Sequence, residues 1–241
     1  MAKNNHNVDI DLMGNSIFNC ANLIETGTNG FYYYNDFFSG LGELVSYISG
    51  NGATNSFNIA VVSNNTPGIN QMQTGTTATG RAGFGSQIAC LLLGGGVLVC
   101  ETYIRIPILS NATQQFILRC GLLDSFTGES IDAVYFRYAD NLNSGKFQSV
   151  TRSNNVETAT DTGIAVVANI WYKLAIIVNA NANTISFLIN NALVSTITTN
   201  IPNAAGRQLG FGSYLQKIVG NTNSVVDADY VKVSQKFTLA R

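Results

Sequence analysis

The sequence predicts an all-β protein, an antiparallel β-sandwich or jelly roll preceded by an extended N-terminal arm. From about residue 41 onward, short runs of apolar and β-branched residues recur between turns rich in Gly, Asn, Thr and Ser. No apolar pattern with a 3.6-residue period is long enough for a major helix. The length of 241 residues allows one large all-β domain. We therefore expect roughly ten to thirteen strands in one sandwich.

The N-terminal part of the chain, residues 1–40, is predicted to be an attachment arm that ends in an aromatic junction. Its first thirty residues are polar and Asn-rich, which favours an extended segment that lies against something else. The junction contains five aromatic residues, namely Tyr32, Tyr33, Tyr34, Phe37 and Phe38. Such a cluster could form a sugar platform, but burial at a domain or subunit junction is the commoner outcome.

The second part, residues 41–241, is predicted to be the sandwich domain. Its expected strands lie, in chain order, within residues 56–63, 87–93, 97–109, 114–123, 132–139, 147–153, 164–167, 171–202, 207–215 and 227–239.

The clearest strands form a predicted three-stranded meander between Trp171 and Pro202. One apolar row with a period of two contains Tyr172, Leu174, Ile176 and Val178, and a second contains Ile185, Phe187 and Ile189. An Asn-Ala repeat at 179–183 and the pair at 190–191 supply Asn, which tolerates the left-handed backbone of tight hairpins. Trp171 is expected to pack in the core or at its rim, with sugar stacking as the alternative.

Composition and charge exclude several classes of protein. Charged residues make up 11% of the chain, against about 25% in ordinary soluble domains, and the net charge is −1. Since the basic residues are scattered, neither nucleic acid nor an anionic membrane surface is an expected partner. The longest apolar run, 88–100, is broken by three glycines, and no secretory signal is visible. We expect no membrane insertion and folding in a reducing cytoplasm.

The chemistry-bearing residues argue against an enzyme. His6 is the only histidine and lies in the arm, so a catalytic triad within the domain is not expected. Glycan hydrolysis needs two suitably spaced acids, and the closest group, Glu129 with Asp132, lacks the spacing and a further acid. Cysteines 90, 100 and 120 lie in apolar runs and are predicted to be reduced core thiols, although a disulfide between two of them stays open.

No cofactor is expected, with calcium as the one candidate. Asp227 and Asp229 lie two residues apart on the predicted last strand and would share a face, where nearby carbonyls could complete a calcium site. In the alternative interpretation, one carboxylate caps a turn and the other is solvated.

A candidate ligand-binding face lies on the strand within 132–140. If Val134 and its i+2 neighbours face the core, Tyr135 and Arg137 project from the other face, near Gln148 and Arg152 of the next strand. Aromatic, guanidinium and amide groups can stack on sugars and hydrogen-bond to them. The same side chains could equally cover a neighbouring subunit.

The order of the motifs resembles that of known virion proteins. The succession NTPGINQMQTGTTATGRAGFGS, ETYIRIPILS, DAVYFRYAD, WYKLAIIVNANANTISFLINN, TTNIPNAAGRQLGFG and DADYVKVSQKF covers most of 41–241. It resembles virion proteins of tailed bacteriophages that carry a concanavalin A-like lectin/glucanase sandwich. The arm segment DIDLMGNSIFN is similar to the attachment peptides of phage fibres.

This resemblance implies a concanavalin A-like jelly roll and a virion location, after synthesis in the host bacterial cytoplasm. It implies a tail fibre, head fibre or capsid decoration protein, held to other capsid or tail proteins by its arm. A homotrimer and adhesion to host-surface glycans are the further expectations. Two alternatives stay open: a lectin module without a structural role, and a glycan depolymerase that acts through an acid such as Glu101 or Asp132.

Overall fold

The computed structural model describes residues 11–12, 15–16, 30–57, 66, 68–87 and 89–239. Within these ranges the regular structure consists of β-strands and one short 3-10 helix, Asn143–Gly145. The strands are β1 (Asp11–Leu12), β2 (Asn15–Ser16), β3 (Gly30–Asn35), β4 (Leu44–Ser49), β5 (Thr54–Phe57), β6 (Asn70–Gln73), β7 (Arg81–Ser86), β8 (Gly96–Arg105), β9 (Gln115–Leu123), β10 (Ala133–Tyr138), β11 (Lys146–Ser153), β12 (Val156–Ala165), β13 (Trp171–Val178), β14 (Ile185–Ile189), β15 (Ala192–Ile197), β16 (Gly210–Val219) and β17 (Val225–Phe237).

Two antiparallel sheets pack face to face, which confirms the predicted sandwich. One sheet has seven strands in the order β12-β11-β10-β9-β16-β7-β4. The other has the order β15-β14-β13-β8-β17-β6-β5, and β3 also pairs with β17. No helix in the described part of the chain is long and apolar enough to cross a membrane.

The core lies between the two sheets and is built from alternate residues of their strands. The predicted meander is confirmed as β13, β14 and β15, paired antiparallel. Its two apolar rows point inward, and Ile176 and Phe187 are 2% and 0% exposed. Asn190 and Asn191 join β14 to β15 with φ angles of 51° and 67°, the left-handed backbone that a tight two-residue hairpin needs.

The predicted aromatic junction contributes to the sheet. β3 pairs along its whole length with β17, from Gly30 opposite Lys236 to Asn35 opposite Val231. Phe37 is fully buried in the core, while Phe38 is 64% exposed. In the remainder of the predicted arm, the structure describes only β1 and β2, which pair with each other. The division of the chain at residue 40 stays a prediction.

Two local expectations were wrong. Residues 89–93 of the strand predicted at 87–93 form no strand and make only a bridge from Leu91 to Leu209. Apolar residues occur here without alternation, so Leu92 is left 45% exposed. Cys90 is likewise exposed, whereas Cys100 and Cys120 are buried free thiols as predicted. The strand expected at 56–63 is described only to Phe57, and its remainder lies outside the described residues.

Candidate functional site

Four aromatic side chains form a continuous row across the outer face of the eight-stranded sheet. They lie on the adjacent strands β13, β8, β17 and β3. The row consists of Trp171, Tyr103, Tyr230 and Tyr34, and we call it the aromatic row. Successive ring centroids are 5.0, 6.1 and 5.8 Å apart, with interplanar angles of 20°, 26° and 33°.

Strand alternation places these rings on the outside of the sandwich. On β8, Cys100 and Ile104 point into the core, so Tyr103 and its i±2 neighbours project outward. Trp171 is directly opposite Arg105 in the register, two residues along the strand from the Lys173–Tyr103 pair and on the same face. Neighbouring strands are about 4.8 Å apart, which explains the spacing of the rings.

The row leaves aromatic surface open to solvent. Nearly parallel rings with centroids 5 to 6 Å apart are offset, because direct overlap would bring them to van der Waals distance, about 3.5–4.0 Å. Tyr34, at one end, is 48% exposed. Beside it lies an open depression of about 500 Å³, lined by residues that include Asn35, Asp36 and Glu43. A flat apolar surface of this kind fits the apolar face of a sugar ring.

Charged and amide side chains flank the row at the Trp171 end. The Arg105 guanidinium lies 5.2 Å from the Trp171 ring, and its Nε and Nη2 donate to Asp227 Oδ2 at 2.9 and 2.7 Å. The other oxygen of Asp227 accepts from Gln71 Nε2 at 2.8 Å. Gln71 Oε1 in turn accepts from Gln73 at 2.6 Å. These hydrogen bonds fix the orientation of the polar groups beside the rings.

A second polar group lies near the middle of the row. Tyr230 Oη donates to Glu101 Oε1 at 2.6 Å, and Lys173 Nζ lies 3.0 Å from Glu101 Oε2. Burial raises the pKa of Tyr230, and the hydrogen bond to Glu101 raises it further. Tyr230 is therefore a neutral hydrogen-bond donor across the physiological range.

Asp229 lies at a β-bulge in β17, between Ala228 and Tyr230. The bulge interrupts the alternation of the strand, so Asp229 does not share the position of Asp227 relative to Arg105. Asp229 is 7% exposed, and burial followed by the nearby charge of Asp36 raises its pKa to about 7. Its Oδ1 is buried without a hydrogen-bond partner among the residues that the structure describes.

The two residues of the predicted calcium pair, Asp227 and Asp229, thus have different surroundings. Asp227 is neutralised by Arg105, and Asp229 is a carboxyl whose charged form is disfavoured. In the described ranges no three His, Cys, Asp or Glu side chains gather as a metal site would require. Of the two acids named for a depolymerase, Glu101 lies on β8 and pairs with Lys173. Asp132 ends the loop that leads into β10 of the other sheet and pairs with Arg207 at 2.6 Å.

The structure brings the four residues of the predicted ligand-binding face together on the outer face of the seven-stranded sheet. Arg137 Nε donates to Gln148 Oε1 at 3.0 Å, and Arg152 lies two rows further along β11, opposite Ala133. Tyr135 is fully buried, however, in a small cluster with Phe126 and Tyr214. Its ring therefore offers no open face to a ligand. The ligand-binding role of these four residues stays a prediction.

Sequence reasoning did not find the aromatic row. The segment ETYIRI carried the signal, since its alternation places Glu101, Tyr103 and Arg105 on one face of a strand. The rings of the row come from segments up to 196 positions apart in sequence, since Tyr34 contacts Tyr230. Only the strand order shows that they are neighbours.

Comparison with known proteins identifies the fold. The family model described as "SO2946-like, C-terminal domain" matches residues 65–229, more than half of the 241 residues. A protein of unknown function from Shewanella oneidensis MR-1, SO2946, has a similar structure with a TM-score of 0.66 and 15% identity. The alignment covers 89% of this chain and 90% of that one. No curated protein matches the sequence.

Two further solved structures show the same sandwich. The β-glucanase of Bacillus licheniformis has a TM-score of 0.55 and 17% identity, over 84% of this chain and 97% of that one. The CBM2 module of an evolved Dit from Lactobacillus casei BL23 phage J-1 has a TM-score of 0.56 and 10% identity, over 88% and 98%. At these identities the similarity shows a concanavalin A-like jelly roll, as the motif order predicted.

Proposed function

Because the chain belongs to the SO2946-like C-terminal domain family and folds as a concanavalin A-like sandwich, we propose that it binds carbohydrate through the aromatic row. The observation that carries this proposal is a line of partly exposed rings on four adjacent strands, flanked by fixed polar groups. Sugar rings stack their apolar faces on aromatic side chains and use their hydroxyls for hydrogen bonds. Arg105, Gln73 and Lys173 are in position to supply such bonds.

The binding test uses the full-length chain on a panel of bacterial surface glycans, followed by calorimetry with the oligosaccharide that binds best. Tyr103→Ala and Trp171→Ala are each expected to weaken binding by about tenfold or more, since an aromatic stacking contact contributes about 0.5–1.5 kcal/mol beyond its buried area. Leu193→Ala is the matched control, because Leu193 is a 62% exposed apolar residue of the same sheet, on β15. Equal binding by the folded row variants and the control would refute the assignment of this surface.

We further propose that binding occurs without turnover. Glu101 lies on β8 of the eight-stranded sheet, whereas Asp132 lies at the end of the loop that leads into the seven-stranded sheet. Each is held by a basic side chain, so they do not flank a common bond. The expected result is no release of reducing ends from the bound glycan. Release that is abolished in Glu101→Gln would instead establish the depolymerase alternative.

The biological setting that we propose is a bacteriophage virion, in which the protein is a tail fibre, head fibre or capsid decoration. The order of the sequence motifs and the attachment-like arm support this proposal, and a phage Dit module with the same fold agrees with it. The arm anchors the protein to other capsid or tail proteins, and the sandwich projects toward host-surface glycans.

Deletion of residues 1–29 separates anchoring from binding, because it leaves β3 in the sheet. In a phage that carries the gene, the truncated protein is expected to be absent from purified particles while it still binds glycan in isolation. Its normal incorporation would refute the anchoring role. The proposed homotrimer is tested by the mass of the full-length chain in solution, where a monomeric mass would contradict it.

A further inference from the structure

Four arginines lie close together on the outer face of the seven-stranded sheet, on the side of the molecule opposite the aromatic row. We call them the arginine cluster, and they are Arg81, Arg119, Arg137 and Arg152. Arg119 of β9 is directly opposite Arg137 of β10 in the register. Like charges in direct opposition destabilise a sheet unless anions lie between them.

Two glutamates supply only part of the required negative charge. Arg137 Nη2 lies 2.9 Å from Glu157 Oε1, and Arg152 Nη1 lies 3.0 Å from Glu129 Oε1. The other oxygen of Glu129 accepts from Arg119 Nη2. Three guanidinium groups therefore share two carboxylates, and the fourth, that of Arg81, donates to the backbone oxygen of Thr127.

Neighbouring acids do not make up the difference. Asp124 accepts hydrogen bonds from the backbone N–H groups of Ile131 and Asp132, within its own loop. Asp132 pairs with Arg207, and Asp161 pairs with Lys146 at 3.0 Å. The excess of positive charge at the cluster remains.

Hydrogen-bond donors at the centre of the cluster lack acceptors in the described part of the chain. Arg119 is only 4% exposed, yet its Nε and Nη1 have no partner among the described residues. The hydroxyl of the fully buried Tyr214 and Nε of Arg152 also have no hydrogen-bond partner among the described residues. Tyr214 of β16 is directly opposite Arg119 of β9 in the register. Buried donors without acceptors are costly and uncommon in folded proteins.

The carboxylate of Glu129 occupies the outer side of this group of donors. It belongs to the loop 124–132, and its side chain is 43% exposed, in contrast to 5% for the Arg119 side chain. A more exposed carboxylate that bridges Arg119 and Arg152 can be displaced by another anion without disturbing the sheet. Carboxylate and phosphate both have the oxygen geometry that binds a guanidinium through two parallel hydrogen bonds.

We infer that the arginine cluster is a binding site for the anionic group of an acidic glycan, a carboxylate or a phosphate, which takes the place of the Glu129 carboxylate. Arg119 and Arg152 bind the anion, and Tyr214 donates to one of its oxygens. Arg137, held by Glu157 and Gln148, adds long-range attraction. The site is separate from the aromatic row and does not depend on it.

The experiment measures binding to the full-length chain at low ionic strength by calorimetry. The probes are a tetramer of glucuronic acid, the corresponding neutral glucose tetramer and inorganic phosphate. Arg119→Gln removes the central donor, Glu129→Gln removes the competing internal anion, and Lys146→Gln is the matched control, which deletes a positive charge from an exposed pair on the same sheet.

Arg119→Gln is expected to weaken the binding of the anionic probe by about tenfold or more, because it removes a charge-assisted hydrogen-bonding group. Glu129→Gln is expected to strengthen it severalfold, and Lys146→Gln to leave it unchanged apart from a small general charge effect. Glu129→Gln keeps all four arginines, so it tests the site even if Arg119→Gln fails to fold.

Preference for the uronate assigns a carboxylate ligand, and binding of phosphate alone assigns a phosphorylated glycan. Either result supports the site. Absence of anion binding in both the wild type and folded Glu129→Gln would overturn it, and so would equal affinity in the wild type and Arg119→Gln. Binding of the neutral tetramer that persists in Arg119→Gln but is lost in Tyr103→Ala reports on the aromatic row alone. The two proposals can therefore fail independently.

Discussion

Replacement of Asp229 by Asn is expected to stabilise the protein above neutral pH and to have little effect in acid. Asn has nearly the same size as Asp and resembles its protonated form, but it cannot acquire a charge. Asp229 is 7% exposed, and Asp36 is a neighbouring carboxylate that opposes a second negative charge. Tyr34 and Tyr230 are the other titratable groups close to it, and both remain neutral in this range.

The magnitude follows from the difference between the folded and unfolded pKa values. The pKa of Asp229 rises from 3.8 to about 7 on folding, so the folded state holds the proton more tightly. The stability that Asp229 contributes through this proton is therefore fully present below pH 3.8, and it is lost progressively as the pH rises to about 7. At 1.36 kcal/mol per pKa unit, the loss is about 4 kcal/mol at most.

The assay is urea denaturation of wild type and Asp229→Asn at several pH values from 5 to 9. Trp171, the only tryptophan, lies in the aromatic row and reports unfolding by its fluorescence. The free-energy difference in favour of the variant should grow with pH and level off above about 7, with an unchanged denaturant slope. Asp36→Asn should shift this growth to lower pH values. A difference that is constant between pH 5 and 9 would refute the reasoning.

Three further predictions concern stability and are measured by the same denaturation assay at pH 7. Arg105→Leu leaves the fully buried Asp227 without its ion pair and is expected to lower the free energy of unfolding by about 3–5 kcal/mol. Replacement of both residues by Leu should lower it by less, because no buried charge is then left unpaired. Equal losses in the single and double variants would contradict the interpretation that Asp227 is a buried charge. Gly85→Ala places a Cβ 2.5 Å from the Phe126 ring, so the loop 124–132 must move and the free energy of unfolding should fall by about 1–3 kcal/mol. An unchanged stability would mean that the loop moves at no energetic cost. Asn191→Ala forces a φ of 67° on an unsuitable residue and should cost about 1 kcal/mol, while Asn191→Gly should be nearly neutral; the reverse order would exclude the left-handed turn.

The sequence alone determined the fold class and the local structure of its most regular segment. In the meander, Ile176 and Phe187 alternate with outward residues, and Asn190 and Asn191 fit the hairpin turn, so each local pattern agrees with the final sheet. The prediction of a strand was wrong where apolar and polar residues do not alternate. Apolar residues follow one another without interruption at 91–93, and the chain there forms only a bridge at Leu91.

The tertiary structure decided which surfaces carry chemistry, because the groups concerned come from strands that are distant in sequence. Alternation could predict that Tyr135 and Tyr103 point away from the core. It could not show that the first would be buried in a cluster with Phe126, while the second would lie beside Trp171 in an open row. Exposure on the outer face of a sheet depends on which loops lie over it and on strand order, and both are set by long-range packing. Sequence periodicity specifies the face of a strand, and only the assembled sandwich specifies whether that face is available to a ligand.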